Sequence, residues 1–210
     1  MIATLLAATA RVIAGGTVRS AGELGDVRQR VFFANHTSHL DFILIWASLP
    51  LVARKRARPV AARDYWESGL VRRYLAREVF RAVLIDRAVG ESAAQDRSPQ
   101  IRGREAVDRM VEALGRENSL IVFPEGTRGS GQVVGEFRSG LYYLSRARPD
   151  VDLVPVHLEN LNRVLPKGEF IPVPMISRIS FGLPLERAES EAKETFLERA
   201  RIAVQELAER

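Results

Sequence analysis

Two stretches of this sequence place reactive side chains where turns are expected. The first is Asn35-His36-Thr37-Ser38-His39-Leu40-Asp41. An imidazole takes up and releases a proton near neutral pH, and a nearby carboxylate can fix its tautomer and support the imidazolium that forms. Within one regular helix, five steps of about 100° would set residues 36 and 41 roughly 140° apart around the axis, where they could not meet. His36 is therefore expected on a turn ahead of a helix, with Ser38 as N-cap and Asp41 reaching back from the first turn. The same residues also read as an ordinary helix start beside a surface histidine. A metal set of His36, His39 and Asp41 has no further histidine-rich spacing behind it, so no metal is expected and His39 is taken as a neighbour.

The second stretch is Leu120-Ile121-Val122-Phe123 running into Pro124-Glu125-Gly126-Thr127-Arg128-Gly129-Ser130-Gly131. Glycines after a buried strand let backbone N–H groups approach an anion, and the planar fork of Arg128 suits a phosphate. A tight surface turn is the plainer reading. Two nucleotide motifs fail here. The P-loop pattern needs lysine where Gln132 stands, and Gly129, Gly131 and Gly135 have the wrong spacing for a dinucleotide fingerprint.

Composition narrows the chemistry. The 210 residues contain no cysteine, which excludes disulfides, Cys-type zinc sites and a thiolate nucleophile. No Gly-x-Ser-x-Gly elbow is present either. The formal charge is +5, nearly all of it from arginine, as the lysines are Lys55, Lys167 and Lys193. Such a surface attracts nucleic acid, anionic lipid or acidic proteins, although heavy arginine use also follows from genome coding bias.

The elements that must position these residues are legible as an alternation. Short apolar runs recur at 31–34, 60–62, 83–85, 120–123, 153–156 and 176–181, with helical periodicity between them. One helix is expected between Gly103 and Asn118, with Val107, Met110, Val111 and Leu114 on one face. The last, behind Ser190 as N-cap, carries Phe196, Ala200, Ala203, Val204 and Leu207. This predicts one α/β domain over 1–210, with a mixed, largely parallel sheet flanked by helices. Within it, residues 1–30 form a membrane-proximal segment, 31–185 the catalytic core and 186–210 a C-terminal helix. Residues 90–99 are expected as a surface loop. The apolar N-terminus, interrupted by Arg11 and closed by Gly15-Gly16, is too short to span a bilayer and lacks a signal-peptide layout, leaving an interfacial or core helix.

Together the two stretches resemble the glycerolipid acyltransferase family that includes bacterial 1-acylglycerol-3-phosphate acyltransferases. That family's first block, Asn-His-x-Ser-x-x-Asp, is matched by Asn35, His36, Ser38 and Asp41, and its Phe-Pro-Glu-Gly-Thr-Arg block by Phe123 to Arg128 without change. Val83-Leu84-Ile85-Asp86-Arg87 resembles an intermediate block, lacking its usual leading glycine. Val154-Pro155-Val156 resembles a proline-bearing strand, and Phe137-Arg138-Ser139-Gly140 a following basic segment. The ordered match covers residues 33–158.

The resemblance implies that His36 deprotonates an acceptor hydroxyl, supported by Asp41, and that the hydroxyl attacks an acyl thioester directly. It implies an acceptor-phosphate site of Arg87, Glu125, Gly126, Thr127 and Arg128, with Glu125 positioning the loop or neighbouring arginines, since a carboxylate does not attract phosphate. No cofactor is implied. The donor would be acyl-CoA or acyl carrier protein and the acceptor 1-acylglycerol-3-phosphate or a related lysophospholipid. The partner surface would be a membrane rather than nucleic acid, at the cytoplasmic face of a bacterial inner membrane. An acyl thioester hydrolase and a non-catalytic lipid-binding module are the alternatives. Membrane contact is expected through the N-terminus and a basic amphipathic helix from Trp66 to Arg81, where Leu70, Val71, Tyr74 and Leu75 oppose Arg72, Arg73 and Arg77. A core-facing helix with a solvated arginine face fits that pattern equally. Arg54-Lys55-Arg56-Ala57-Arg58 could likewise meet headgroups, coenzyme A phosphates, an acidic carrier or water.

Overall fold

The alternation of buried runs and amphipathic helices assembles around one seven-stranded sheet. The structure is a computed structural model describing residues 2–14, 17–38, 41–86, 98–129, 133–160 and 177–209. Its strands are β1 (Thr17–Ser20), β2 (Arg30–Ala34), β3 (Ala57–Ala62), β4 (Val83–Ile85), β5 (Ser119–Val122), β6 (Asp152–Glu159) and β7 (Arg178–Phe181). They lie in the order β1-β7-β6-β2-β5-β3-β4. All neighbours pair in parallel except β6 and β7. The mixed, largely parallel sheet expected from the sequence is thus the one observed.

Central position explains the composition of β2. All five of its residues are buried, as a strand covered on both faces requires. Phe32 joins a first core with helices α1 (Ile2–Ala14), α2 (Asp41–Ser48) and α3 (Leu51–Arg56). Phe33 joins a second core on the opposite face with α6 (Pro99–Leu114), α7 (Gly140–Ala147) and α8 (Lys193–Glu206), counting helices along the described chain. The four-residue edge strand β1 has no strand signal in the sequence, because all its residues are exposed and it has no apolar alternation.

Three helical expectations need correction. The α6 helix begins at Pro99, capped by the Ser98 hydroxyl that accepts the Ile101 N–H, and ends at Gly115 with φ 48°. It starts earlier than the apolar spacing suggests because Pro at N1 behind a serine cap is itself a start signal. The α8 helix is capped at Ala192 rather than Ser190, while Arg199 pairs with Glu191 at 2.7 Å in the approach to it.

The single helix expected from Trp66 to Arg81 is broken into α4 (Arg63–Trp66), α5 (Leu70–Tyr74) and a π-turn over Leu75–Val79. Gly69 at φ 98° interrupts it, and the wide turn closes with Phe80 N–H donating to Leu75 C=O. The extra residue per turn rotates the apolar face, so Leu75, Ala76, Val79 and Phe80 reach the core while Leu70, Val71 and Tyr74 stay in water. The expected loop at 90–99 lies outside the described residues, apart from its end at Ser98 and Pro99.

Candidate functional site

In a parallel sheet the carboxyl ends of the strands share one edge, where loops bring distant residues together. Along that edge the chain leaves β6 near His157, β2 at His36, β5 at Glu125, β3 at Arg63 and β4 at Asp86. Both chemistry-bearing segments of the sequence are therefore neighbours, as β2 and β5 pair directly.

His36 sits on the turn between β2 and α2, and Asp41 is the first residue of α2. The His36 Nδ1 lies 2.8 Å from Asp41 Oδ2, and that same oxygen accepts the Thr37 N–H at 2.6 Å and the Ser38 N–H at 2.9 Å. A carboxylate oxygen already collecting two backbone donors makes Nδ1–H the donor of this contact, which leaves Nε2 as the basic nitrogen. Asp41 is fully buried, whereas the His36 side chain keeps 23% exposure. The imidazole stacks on Phe123 at 4.3 Å between centroids, with 23° between planes. The result is an oriented imidazole backed by a buried acceptor, the arrangement a general base needs.

The loop after β5 grips the His36 peptide at both ends. Glu125 Oε1 accepts the His36 N–H at 2.8 Å, and the Gly129 N–H donates to the His36 C=O at 2.8 Å. Glu125 Oε2 also accepts the Gly135 N–H at 3.3 Å. A Cβ at Gly135 would stand 2.8 Å from that Oε2, so the glycine makes room for the carboxylate. Burial pushes the Glu125 carboxyl above the ordinary glutamate range, a displacement that the His36 and Gly135 N–H groups oppose. Asn35 ties the start of the turn to β6, its amide bonding both the C=O and the N–H of Leu158 at 2.9 and 2.8 Å.

On the outer side of this loop, Gly126 and Thr127 are exposed and Arg128 is half-buried. Gly126 adopts φ 70°, and a Cβ there would stand 2.6 Å from Arg138 Nε. The Arg138 side chain thus lies against the loop at Gly126, two residues before Arg128. Neither guanidinium forms an ion pair among the described residues. In the sequence Arg138 stands out only as part of a basic segment, and its contact with Gly126 is a tertiary fact. The positions of Arg87 and His39 lie outside the described residues. Asp86, next to Arg87, pairs with Arg63 at 2.9 Å and Arg109 at 3.4 Å.

A small pocket behind the turn is lined by Thr37, Glu125, Val134, His157 and Gln205, among others. His157 carries no signal in the sequence, because it lies inside an apolar strand with no partner motif. Burial lowers its pKa, and Arg178 adds to this while Glu159 opposes it.

The family model described as acyltransferase matches residues 18–159. Among solved structures, the chain is similar to the 1-acyl-sn-glycerophosphate (LPA) acyltransferase PlsC from Thermotoga maritima, with a TM-score of 0.71 and 19% identity, covering 99% of this chain and 78% of that one. At that identity the likeness bears on the fold. A search of curated proteins gave no significant match.

Proposed function

Because the chain belongs to the acyltransferase family, we propose that it is an O-acyltransferase acting on a lysophospholipid, with His36 as general base and Asp41 as its orienting partner. In this reading the acceptor hydroxyl gives its proton to His36 Nε2 while its oxygen attacks the thioester carbonyl of the donor. The tetrahedral adduct then expels the thiolate, which recovers a proton from the imidazolium. The acyl group passes directly from sulfur to oxygen, in keeping with a chain that contains no cysteine. Asp41 supports the transient positive charge on the ring.

The acceptor we favour is 1-acylglycerol-3-phosphate, and the donor acyl-CoA or acyl carrier protein. Support comes from Arg138, whose guanidinium lies against exposed Gly126, and from Arg128 two residues further along the same loop, neither with a carboxylate partner among the described residues. A phosphate monoester would be their natural counter-ion. Arg87 and Thr127 are proposed to complete this site, and Glu125 to act through the loop rather than on the phosphate. The substrate named for the Thermotoga maritima structure points the same way. Acyl chains partition into bilayers, so the reaction is placed at a membrane surface, at the cytoplasmic face if the host is bacterial. No helix among the described residues is long and apolar enough to cross a membrane.

The observation that carries this proposal is the 2.8 Å contact of His36 Nδ1 with Asp41 Oδ2, beside the loop bearing Arg128. The test is an assay of purified protein with labelled acyl thioester and a panel of acceptors: lysophosphatidate, glycerol 3-phosphate, a lyso-aminolipid and water alone. Transfer fastest to lysophosphatidate is expected. Folded protein that acylates none of them contradicts the proposal, and free fatty acid released regardless of acceptor assigns a hydrolase instead.

A further inference from the structure

Glu125 is a buried carboxylate, 8% exposed, that forms no ion pair among the described residues. Its oxygens meet neutral backbone donors instead: Oε1 the His36 N–H at 2.8 Å and Oε2 the Gly135 N–H at 3.3 Å. The glycines around it keep this arrangement tight, since a Cβ at Gly129 would stand 3.1 Å and one at Gly135 2.8 Å from Oε2. A buried carboxylate without a cation beside it regains its proton more readily than one in water. Burial accordingly displaces the Glu125 carboxyl upward; the two N–H groups and the His36 ring oppose this, and Asp41 adds to it.

The carboxyl is also one wall of the pocket behind the turn, a space of about 50 Å³, wide enough for a water molecule or two. Val133, another lining residue, is 67% exposed, so the pocket meets the surface beside the loop. The titratable and charged groups on the surrounding elements are His36 and Asp41 on the turn and α2, His157 on β6, Arg201 on α8, and Arg128, Glu136 and Arg138 on the loop itself. None of these side chains bonds the carboxylate among the described residues. His157 is pushed toward its neutral form by burial, with Glu159 opposing and Arg178 adding, and its ring makes no hydrogen bond among the described residues. Arg201 is engaged elsewhere, by Glu198 at 2.6 Å and Gln205 at 2.9 Å. The group in this pocket that is both placed on the His36 peptide and inclined to take up a proton is therefore Glu125.

We propose that Glu125 is an acid-sensitive latch on the catalytic turn: one proton taken up on Oε2 cuts the tie to Gly135 and weakens the hold on the His36 peptide. Oε2 is the oxygen with the longer contact. As a hydroxyl it no longer accepts the Gly135 N–H, and the bond from the His36 N–H to Oε1 changes from charge-assisted to neutral, at about half the strength. The inference rests on reading His36 as the base of an acyl transfer, and it adds a means of regulation to that site. The latch is closed above the raised pKa of Glu125 and opens as pH falls through it, in milder acid than an ordinary glutamate would need. The folded carboxyl takes up this proton at a higher pH than the unfolded chain does, so the uptake favours the folded state and the release stays local.

The test follows the full chain by nuclear magnetic resonance as pH is lowered, with the backbone amides and the glutamate side-chain carboxyls isotopically labelled. His36→Ala is the form to titrate, because it keeps the N–H of residue 36 and removes the imidazole. The amide protons of residues 36 and 135 are expected to move upfield together, at the midpoint of the Glu125 carboxyl and above that of an ordinary glutamate. The kinetic arm compares kcat of wild type with that of Glu125→Gln across the same pH range, a ratio in which the acid limb due to His36 itself cancels. That ratio is expected to be about tenfold at neutral pH and to fall toward one below the Glu125 midpoint. Amides that do not move, or a Glu125 carboxyl that titrates at or below the ordinary glutamate range, overturn the latch. So does a movement that His157→Gln abolishes and Glu125→Gln does not, which assigns the proton to His157. A kinetic ratio independent of pH overturns the link from latch to transfer. Concerted titration of residues 36, 125 and 135 in a protein that acylates no acceptor leaves the latch standing and overturns the reading of His36 as a base.

Discussion

Glu125 reaches His36 through the backbone rather than through the imidazole. Its two oxygens accept the N–H groups of His36 and Gly135, and Gly129 closes the other end of the His36 peptide. In Glu125→Gln one oxygen survives but the other becomes an NH2 group facing an N–H donor. A buried donor stripped of its acceptor costs about 1–3 kcal/mol, enough to loosen the turn. A positioning role therefore gives Glu125→Gln a kcat lowered roughly tenfold or more, with little change in KM for the acceptor. Steady-state kinetics would separate this from direct contact with the acceptor phosphate, which would raise KM instead. This link between segments 89 residues apart was not legible in the sequence. The motif marked Glu125 as relevant, but only pairing of β2 with β5 reveals what its carboxylate touches.

At the scale of elements, legibility followed burial. Strands β2, β5 and β6 read clearly because central strands are continuous apolar runs, while exposed β1 has no such signal. The π-turn was invisible for a different reason. Its residues carry good helical periodicity, and the rotation that divides core face from exposed face comes from one added residue. Pro155 is the unusual member of β6, since proline removes a ladder donor in a strand flanked on both sides. Here it lies where β7 ends, and its C=O accepts the Gly182 N–H at 2.9 Å. A Cβ at residue 182 would stand 2.7 Å from Pro155 Cγ. Gly182→Ala is accordingly expected to destabilise the protein by about 1–3 kcal/mol, the range for an overpacked site. Denaturant unfolding measures this, and an unchanged midpoint would show that the β6–β7 junction yields freely.

Across the whole molecule, the two faces of the sheet have separate tasks. One face carries α6, α7 and α8 over a closed core. The other carries α2, which supplies Asp41, together with the basic and apolar segment that ends at Arg81. The sequence foretold the alternation, the sheet class and the meeting of residues 36 and 41, because each depends on local spacing. It could not foretell the approach of Arg138 to Gly126 or the peptide clamp, which are tertiary contacts. In the proposed mechanism the chemistry depends on an imidazole whose Nδ1 is held by Asp41 and whose Nε2 takes the acceptor's proton. The most direct test is the transfer rate, at saturating acyl thioester and lysophosphatidate, of wild type beside His36→Ala, both verified as folded by circular dichroism. A loss of about a hundredfold or more is expected, in line with removal of a general base. Transfer by His36→Ala at the wild-type rate would contradict the assignment of His36 as the base.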